Sequence, residues 1–166
     1  MRILGVDPGL GITGYGVIEA GAGRFKLLEA GIVKSSSRHT LAQRLTSLYR
    51  GIRDVVREYR PTDLILEKLY SHYRHQMTAI AMAHARGVIA LTAGEFPRLR
   101  LVSYSAKRIK KALTGNGNAS KMQVQRTVQG ILRLKKLPAP ADVSDALALA
   151  IAHAYITRAN RNREEG

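Results

Sequence analysis

The sequence contains no cysteine and no tryptophan in its 166 residues, and only 5% of the residues are aromatic. The absence of cysteine excludes disulfides, thiolate zinc sites and a cysteine nucleophile. A chain of this length can bury roughly 68–70% of the surface that it exposes when unfolded, so it needs no such cross-link. We therefore expect one domain, residues 1–157, followed by a polar C-terminal tail, 158–166, that is disordered.

Acidic residues are also scarce, because 12 Asp and Glu accompany 27 Lys and Arg, for a formal net charge of +15. Such an excess favours a polyanionic partner, above all nucleic acid. The hydrophobic content of 45% places this charge on a folded body and not on a disordered basic segment. The basic residues concentrate in one stretch typical of a phosphate-binding surface, namely Lys107, Arg108, Lys110, Lys111, Lys121, Arg126, Arg133, Lys135 and Lys136.

Long apolar runs are missing as well. We find none that approaches the roughly 18 residues of a membrane-spanning helix. The N-terminus reaches Asp7 and Pro8 too early for a signal peptide. These features predict a cytoplasmic protein without a membrane partner.

Hydrophobic spacing predicts a mixed α/β order. Three β-rich stretches, 3–7, 13–19 and 25–34, predict a meander. Apolar residues at steps of three and four predict a helix over 41–59, and consecutive apolar residues predict a buried strand at 64–67. The other predicted elements are a helix at 77–94, a strand at 99–104 and helices at 105–113, 121–134 and 142–157. The fold class is therefore α/β, with a five-stranded mixed sheet flanked by helices.

Four acidic residues stand where a predicted strand ends or a helix begins. Asp7 closes the first strand, Glu67 closes the fourth, and Asp142 and Asp145 lie three apart at the start of the last helix. Acids at strand ends can face one crevice, and a spacing of three keeps two aspartates on one helix face. Carboxylates are the ligands that Mg²⁺ and Mn²⁺ prefer, and two such ions can act on a phosphodiester. The pattern indicates a metal-dependent nuclease or transferase.

Each of these acids also has a structural interpretation. Asp7 fits a turn, Glu67 can be an exposed charge at a strand end, and Asp142 with Asp145 is close to a helix-capping pair. Spacing alone leaves these alternatives open. His153 lies roughly 12 Å along the helix from Asp145, so we predict a structural role for it.

The glycines after the first predicted strand suggest a nucleotide site that their context does not support. Gly9, Gly11 and Gly14 match a dinucleotide-binding fingerprint, but the following residues predict a strand where that fingerprint opens a helix. A chain of this length also has no second lobe to enclose ATP, as actin-like folds do.

The sequence resembles the RuvC family of Holliday junction resolvases over nearly all of residues 3–156. The stretches that carry the resemblance are 3–9 with 13–18, Glu67 with Tyr70, 85–88, Lys121 with 123–125, and Asp142 with 145–148. The resemblance implies a ribonuclease H-like fold and a homodimer that nicks a four-way DNA junction symmetrically in recombination and repair, with branch-migration motor proteins as partners. It implies that the catalytic, metal-binding carboxylates are Asp7, Glu67, Asp142 and Asp145, with Mg²⁺ or Mn²⁺ as two ions per site.

The resemblance also implies which residues contact the junction. Tyr70 would unstack bases at its centre, and Lys110 and Lys121 would hold the backbone near the scissile phosphate. Lys107 and Arg108 are implied helpers. Further DNA contacts are predicted from the cationic loop after the fourth strand and from the basic stretch, at Arg74 and Lys111.

The sequence also predicts a dimer interface and leaves two alternative functions open. The helix at 77–94 is the predicted dimer interface, because four small residues permit close packing, namely Ala79, Ala81, Ala83 and Ala85. One alternative function is a non-catalytic DNA-binding protein of the same fold. The other is a ribonuclease H-like enzyme that requires a 2′-hydroxyl in its substrate.

Overall fold

The structure, a computed structural model, describes residues 1–21, 23–68 and 76–164. Within these ranges the chain forms five strands and five helices. The strands are β1 (Arg2–Asp7), β2 (Ile12–Gly21), β3 (Arg24–Lys34), β4 (Asp63–Glu67) and β5 (Arg100–Tyr104). The helices are α1 (Leu41–Tyr59), α2 (Gln76–Gly94), α3 (Ala106–Thr114), α4 (Lys121–Ile131) and α5 (Ala141–Glu164). The predicted α/β class is confirmed.

The strands form one mixed sheet in the order β3-β2-β1-β4-β5. β1, β2 and β3 make the predicted antiparallel meander, whereas β4 and β5 run parallel to β1. Gly5 lies opposite Ile65 in the β1–β4 register. Asp7 and Glu67, each two residues further on, therefore end neighbouring strands at the same edge of the sheet.

Helices cover both faces of this sheet. Because successive side chains of a strand point to opposite faces, Ile3 and Ile65 pack under α3, α4 and α5, while Leu4 and Leu64 pack under α1 and α2. This two-sided burial explains the run of consecutive apolar residues in β4, whose residues 63–66 are all buried.

Two glycines allow α5 to lie directly on the sheet. A Cβ atom on Gly5 would collide with the carbonyl oxygen of Ala146, and one on Gly14 would collide with the carbonyl oxygen of Asp142. Only glycine permits this close approach. The contact brings the first turns of α5, and with them its two aspartates, to the end of β1.

Two helix ends differ from the sequence-based prediction by more than one residue. α4 stops at Ile131 and not at residue 134, because Arg133 adopts a left-handed backbone with φ of 52° that a helix cannot continue. α5 runs to Glu164, so residues 158–164, expected to be a disordered tail, continue the helix. These residues include no glycine or proline to end it.

No uninterrupted apolar run reaches membrane length, as expected, but one helix has the length and mean hydropathy of a membrane span although His84 and Arg86 interrupt it. The segment Met77–Gly94 of α2 is long and apolar enough to cross a membrane by length and composition, with a mean hydropathy of 1.2. Only 22% of this segment is buried inside the chain. Met77, Ile80 and Leu91 are exposed on it, at 76%, 49% and 64% of their surface. α2 therefore presents an apolar surface that the described residues leave uncovered.

Candidate active site

A cleft of about 280 Å³ opens at the carboxyl ends of β1 and β4. Asp7, Glu67 and Asp145 line it, together with Lys110 of α3 and Lys121 of α4. Its remaining walls are apolar and come from Ala106, Ile109, Val124, Ala148 and Leu149. The tertiary fold thus brings three of the four predicted carboxylates and two predicted lysines to one concave surface.

Asp142 completes the acidic cluster from its border. It lies in the first turn of α5 and does not line the cleft, but its charge acts on Asp7. The pKa of Asp7 rises from 3.8 to about 7, first because burial disfavours the charge and then because Asp145, Asp142 and Glu67 repel it. Lys121 opposes this rise. Asp7 therefore holds a proton much of the time at neutral pH unless a further cation enters.

Lys121 provides a positive charge inside the cluster. Its Nζ atom lies 2.8 Å from Oδ2 of Asp145, and this hydrogen bond is the main cause of the raised pKa of Lys121. Lys121 is the first residue of α4, which is capped by Ser120 and Gln123 in a reciprocal capping box. The local sequence thus fixes where the helix starts, and this start aims the lysine at α5.

Glu67 is influenced by both neighbouring acids and bases. Burial raises its pKa first and the charge of Asp145 raises it further, whereas Lys110 and Arg86 lower it. The guanidinium of Arg86 also donates a hydrogen bond to the backbone carbonyl of Glu67. Arg86 lies within the stretch 85–88 that carries the family resemblance, but sequence reasoning gave it no role at the site. Its only signal was a basic residue within an apolar helix.

The donor atoms of this cluster suit a hard divalent cation, because all of them are carboxylate oxygens. As the side chains stand, the described residues contain no group of three acids or histidines placed to hold a metal ion. Four carboxylates without a cation repel one another, and Asp145 bonds to Lys121 instead. The raised pKa of Asp7 also indicates a cation site, because a cation would relieve the repulsion that causes part of the rise.

Glu67 is exposed at the end of β4, as its structural alternative expected, whereas the capping and turn alternatives for the other acids find little support. Among the described residues, neither the Asp142 nor the Asp145 carboxylate accepts a hydrogen bond from a backbone N–H, so neither caps α5. The turn after β1 is held by Thr13, whose Oγ1 accepts from the N–H of Gly9 at 3.1 Å and donates to its carbonyl at 2.7 Å. Asp7 is therefore not needed as a turn residue.

Three of the other predicted DNA contacts lie on α3. Lys107, Arg108 and Lys111 are exposed on α3, where the Arg108 guanidinium lies 5.0 Å from the centre of the Tyr104 ring. Tyr70 and Arg74 lie outside the described residues.

His153 has the structural role that its distance from the aspartates predicted. It is 2% exposed on α5, and its Nδ1 atom lies 2.8 Å from the Tyr104 hydroxyl. Its Nε2 atom lies 3.6 Å from Oδ1 of the fully buried Asp63, which also pairs with Arg100 at 2.7 Å. Burial is the main reason that the pKa of His153 is lowered. This network lies under β4 and β5 and outside the cleft.

The chain is similar to known proteins both in sequence and in structure. A family model described as crossover junction endodeoxyribonuclease RuvC matches residues 3–153. The protein of that name from Rhodopirellula baltica is 44% identical over 154 residues, which cover 93% of this chain and 86% of the relative. The one from Desulforamulus reducens is 42% identical over 154 residues, 93% of each chain. The structure of T. thermophilus RuvC in complex with Holliday junction substrate superposes with a TM-score of 0.91 at 32% identity over 96% of both chains.

Proposed function

Since the chain belongs to the RuvC family of crossover junction endodeoxyribonucleases, we propose that it resolves four-way DNA junctions by paired, symmetric nicks in recombination and repair. The observation that carries the proposal is the convergence of Asp7, Glu67 and Asp145 on one cleft, with Asp142 at its border and Lys110 and Lys121 in its wall. A solvated acidic patch would need neither this convergence on one cleft nor these lysines.

The carboxylates would hold Mg²⁺ or Mn²⁺, as two ions per site, through Asp7, Glu67, Asp142 and Asp145. Such ions supply charge neutralisation at the scissile phosphate and an activated water at neutral pH. The chain's contribution is to keep all four acids close despite their repulsion: Asp7 and Glu67 end adjacent strands, and α5 packs directly against β1. A bound cation would relieve that repulsion.

The two lysines of the cleft would bind the phosphate backbone. Lys110 and Lys121 stand on separate helices and line the same cleft as the acids. Without DNA, Lys121 bonds to Asp145. A phosphate and a cation that arrive together would offer both residues new partners, so that substrate and metal bind cooperatively. We propose that Lys107, Arg108 and Lys111 extend this basic surface along α3, and that Tyr70 and Arg74 contact the junction centre.

The apolar face of α2 supports assembly into a homodimer, which two symmetric nicks require. Its exposed Met77, Ile80 and Leu91 form a surface that a second copy would cover, and a Cβ on Gly87 would meet no other atom within 4 Å. Ala85 cannot take part as predicted, because it is fully buried against the sheet. We expect Leu91→Glu to yield a monomer in light scattering that still folds but no longer cuts both strands together.

The test is incubation with a labelled synthetic four-way junction, with and without Mg²⁺ or Mn²⁺, beside a linear duplex and an RNA–DNA hybrid. We expect paired, metal-dependent nicks in the junction that Asp7→Asn abolishes. The matched control is Asp54→Asn, which changes an exposed aspartate on α1. Binding without cleavage under either metal would instead indicate a non-catalytic DNA-binding protein, and cleavage of the hybrid alone would indicate a ribonuclease. The proposal places the protein in the cytoplasm with its DNA, working with branch-migration motors.

A further inference from the structure

A second concave surface lies at the end of the sheet opposite to the carboxylates. This groove has a volume of about 750 Å³ and lies between the end of α1, the start of β4 and the turn that joins α2 to β5. Its floor is apolar and consists of Val56, Pro61, Phe96, Pro97 and Leu99. Because a strand advances about 3.3 Å per residue, the length of β4 separates the groove from Glu67 by about 13 Å. The groove is therefore distinct from the cleft.

Three arginines form the rim of this groove. Arg57, Arg60 and Arg98 are exposed and line it, and among the described residues none of them pairs with an acid. Glu58, which lies between two of them in the sequence, is directed to the Tyr59 hydroxyl. The groove thus combines an apolar floor with at least three positive charges that no described acid neutralises.

The backbone of Arg60 supplies an independent observation. Arg60 ends α1 in the left-handed region, with φ of 48° and ψ of 56°, and its N–H donates to the carbonyl of Val56. Glycine adopts this conformation without strain and is the usual residue at such a helix end. The helix end explains the conformation but not the arginine side chain. The Arg60 side chain itself lines the groove.

We propose that this groove docks an acidic segment of another protein that carries one or two bulky apolar side chains. The apolar side chains would fill the space above Phe96 and Pro97, and the carboxylates would bond to the three arginines, which bind carboxylates in bidentate geometry. Burial of an apolar anchor inside a ring of charged contacts is a common design of peptide-binding grooves.

Other occupants match this surface less well. A DNA backbone would cover an apolar floor with charged phosphates, which gain nothing from it. A second copy of this chain would bring few acids, since only eight of its 12 lie outside the catalytic cluster, against 27 Lys and Arg. The chain's own residues 158–166 contain two glutamates but no large apolar side chain.

The experiment selects ligands without assuming their sequence. A library of random peptides of about twelve residues is displayed on phage and selected against the full chain. The selected peptides are synthesised with fluorescein, and their Kd is measured by fluorescence anisotropy. The test variant is R57E/R60E/R98E, and R57Q/R60G/R98Q is a second one in which glycine suits the left-handed backbone. The matched control is R24E/K26E/R50E, which reverses three exposed charges elsewhere.

We expect selected peptides to combine acids with an apolar residue. Both test variants should raise their Kd by about tenfold or more, the control by less than about twofold, and replacement of the apolar residue by serine should abolish binding. Junction cleavage and the oligomeric state should be unchanged in the test variants. Failure to select peptides, or equal loss in test and control variants, would overturn the proposal. Lost cleavage would assign the arginines to DNA, and a monomeric test variant would assign the groove to the dimer. Because cleavage by the unmodified chain is measured separately, failure of this proposal can be told apart from failure of the proposed function.

Discussion

Replacement of Asp7 by asparagine should make the metal-free protein more stable while it removes cleavage. The pKa of Asp7 is about 7 in the folded chain, whereas that of an aspartate in an unfolded chain is 3.8, a difference of about three. Each unit corresponds to about 1.4 kcal/mol, so an ionised Asp7 lowers the free energy of unfolding at pH 8 by about 4 kcal/mol at most. Water and lysines relax around the charge, and we expect Asp7→Asn to recover about 2 kcal/mol.

The gain must depend on pH with a defined sign. Because the folded pKa is raised, the folded wild type holds its proton to higher pH than the unfolded chain does. The stability that this proton provides is fully present below pH 3.8 and is lost as the pH rises through about 7. The asparagine variant has no such loss. Its advantage should therefore be largest above pH 7 and shrink as the pH falls towards 4.

Urea unfolding followed by far-UV circular dichroism measures this difference in a chain without tryptophan fluorescence. The protein concentration must be constant, since dimerisation adds to apparent stability. In thermal unfolding at pH 8, followed by the same signal, we expect the midpoint to rise by about 4–8 °C. Asp54→Asn, at a side chain that is 66% exposed, should show no such change. Added Mg²⁺ should stabilise the wild type and not the Asp7 variant. An asparagine variant that is less stable, or a gain that is the same at pH 5 and pH 8, would refute electrostatic crowding at Asp7.

Three further predictions test other parts of the chain. Lys121→Met removes the ammonium that bonds to Asp145, so junction cleavage should fall by about tenfold or more while circular dichroism stays unchanged; retained cleavage would contradict its role. Tyr104→Phe leaves a nitrogen of buried His153 without its partner and should lower the free energy of unfolding by about 1–3 kcal/mol in urea. Junction binding in EDTA should weaken steeply between about 50 and 200 mM salt, and a flat affinity would argue against phosphate contacts.

Much of the fold was accessible from the sequence because its signals are local. The β-rich composition of β2, the helical spacing in α1 and the apolar run of β4 each indicate an element without reference to distant residues. Errors occurred where the signal is weak. The sequence after Ile131 contains no strong stop signal, and residues 158–164 are polar but contain no residue that ends a helix. α2 was predicted as a helix, but its content of alanine, glycine and methionine concealed how apolar its exposed surface is.

The sequence identified the residues of the candidate site but not the contacts that they make with one another. Strand ends and helix spacing identified Asp7, Glu67, Asp142 and Asp145, and the family resemblance added Lys110 and Lys121. Their assignment as metal ligands and phosphate contacts stays a prediction. The sequence contained no sign that Arg86 would bond to the Glu67 carbonyl, because that contact joins two elements whose relative position depends on packing.

The sequence by itself determined the order of the elements, the excess of positive charge, the absence of thiol chemistry and the family. The tertiary structure decided which of the acids share a cleft, since only the approach of α5 over Gly5 and Gly14 sets Asp145 beside Asp7. It also decided that Asp7 titrates near neutral pH and that three arginines surround an apolar groove at the far end of the sheet. Helices and strands depend mainly on residues that are close in the sequence, whereas pKa values and grooves depend on residues that the fold brings close in space.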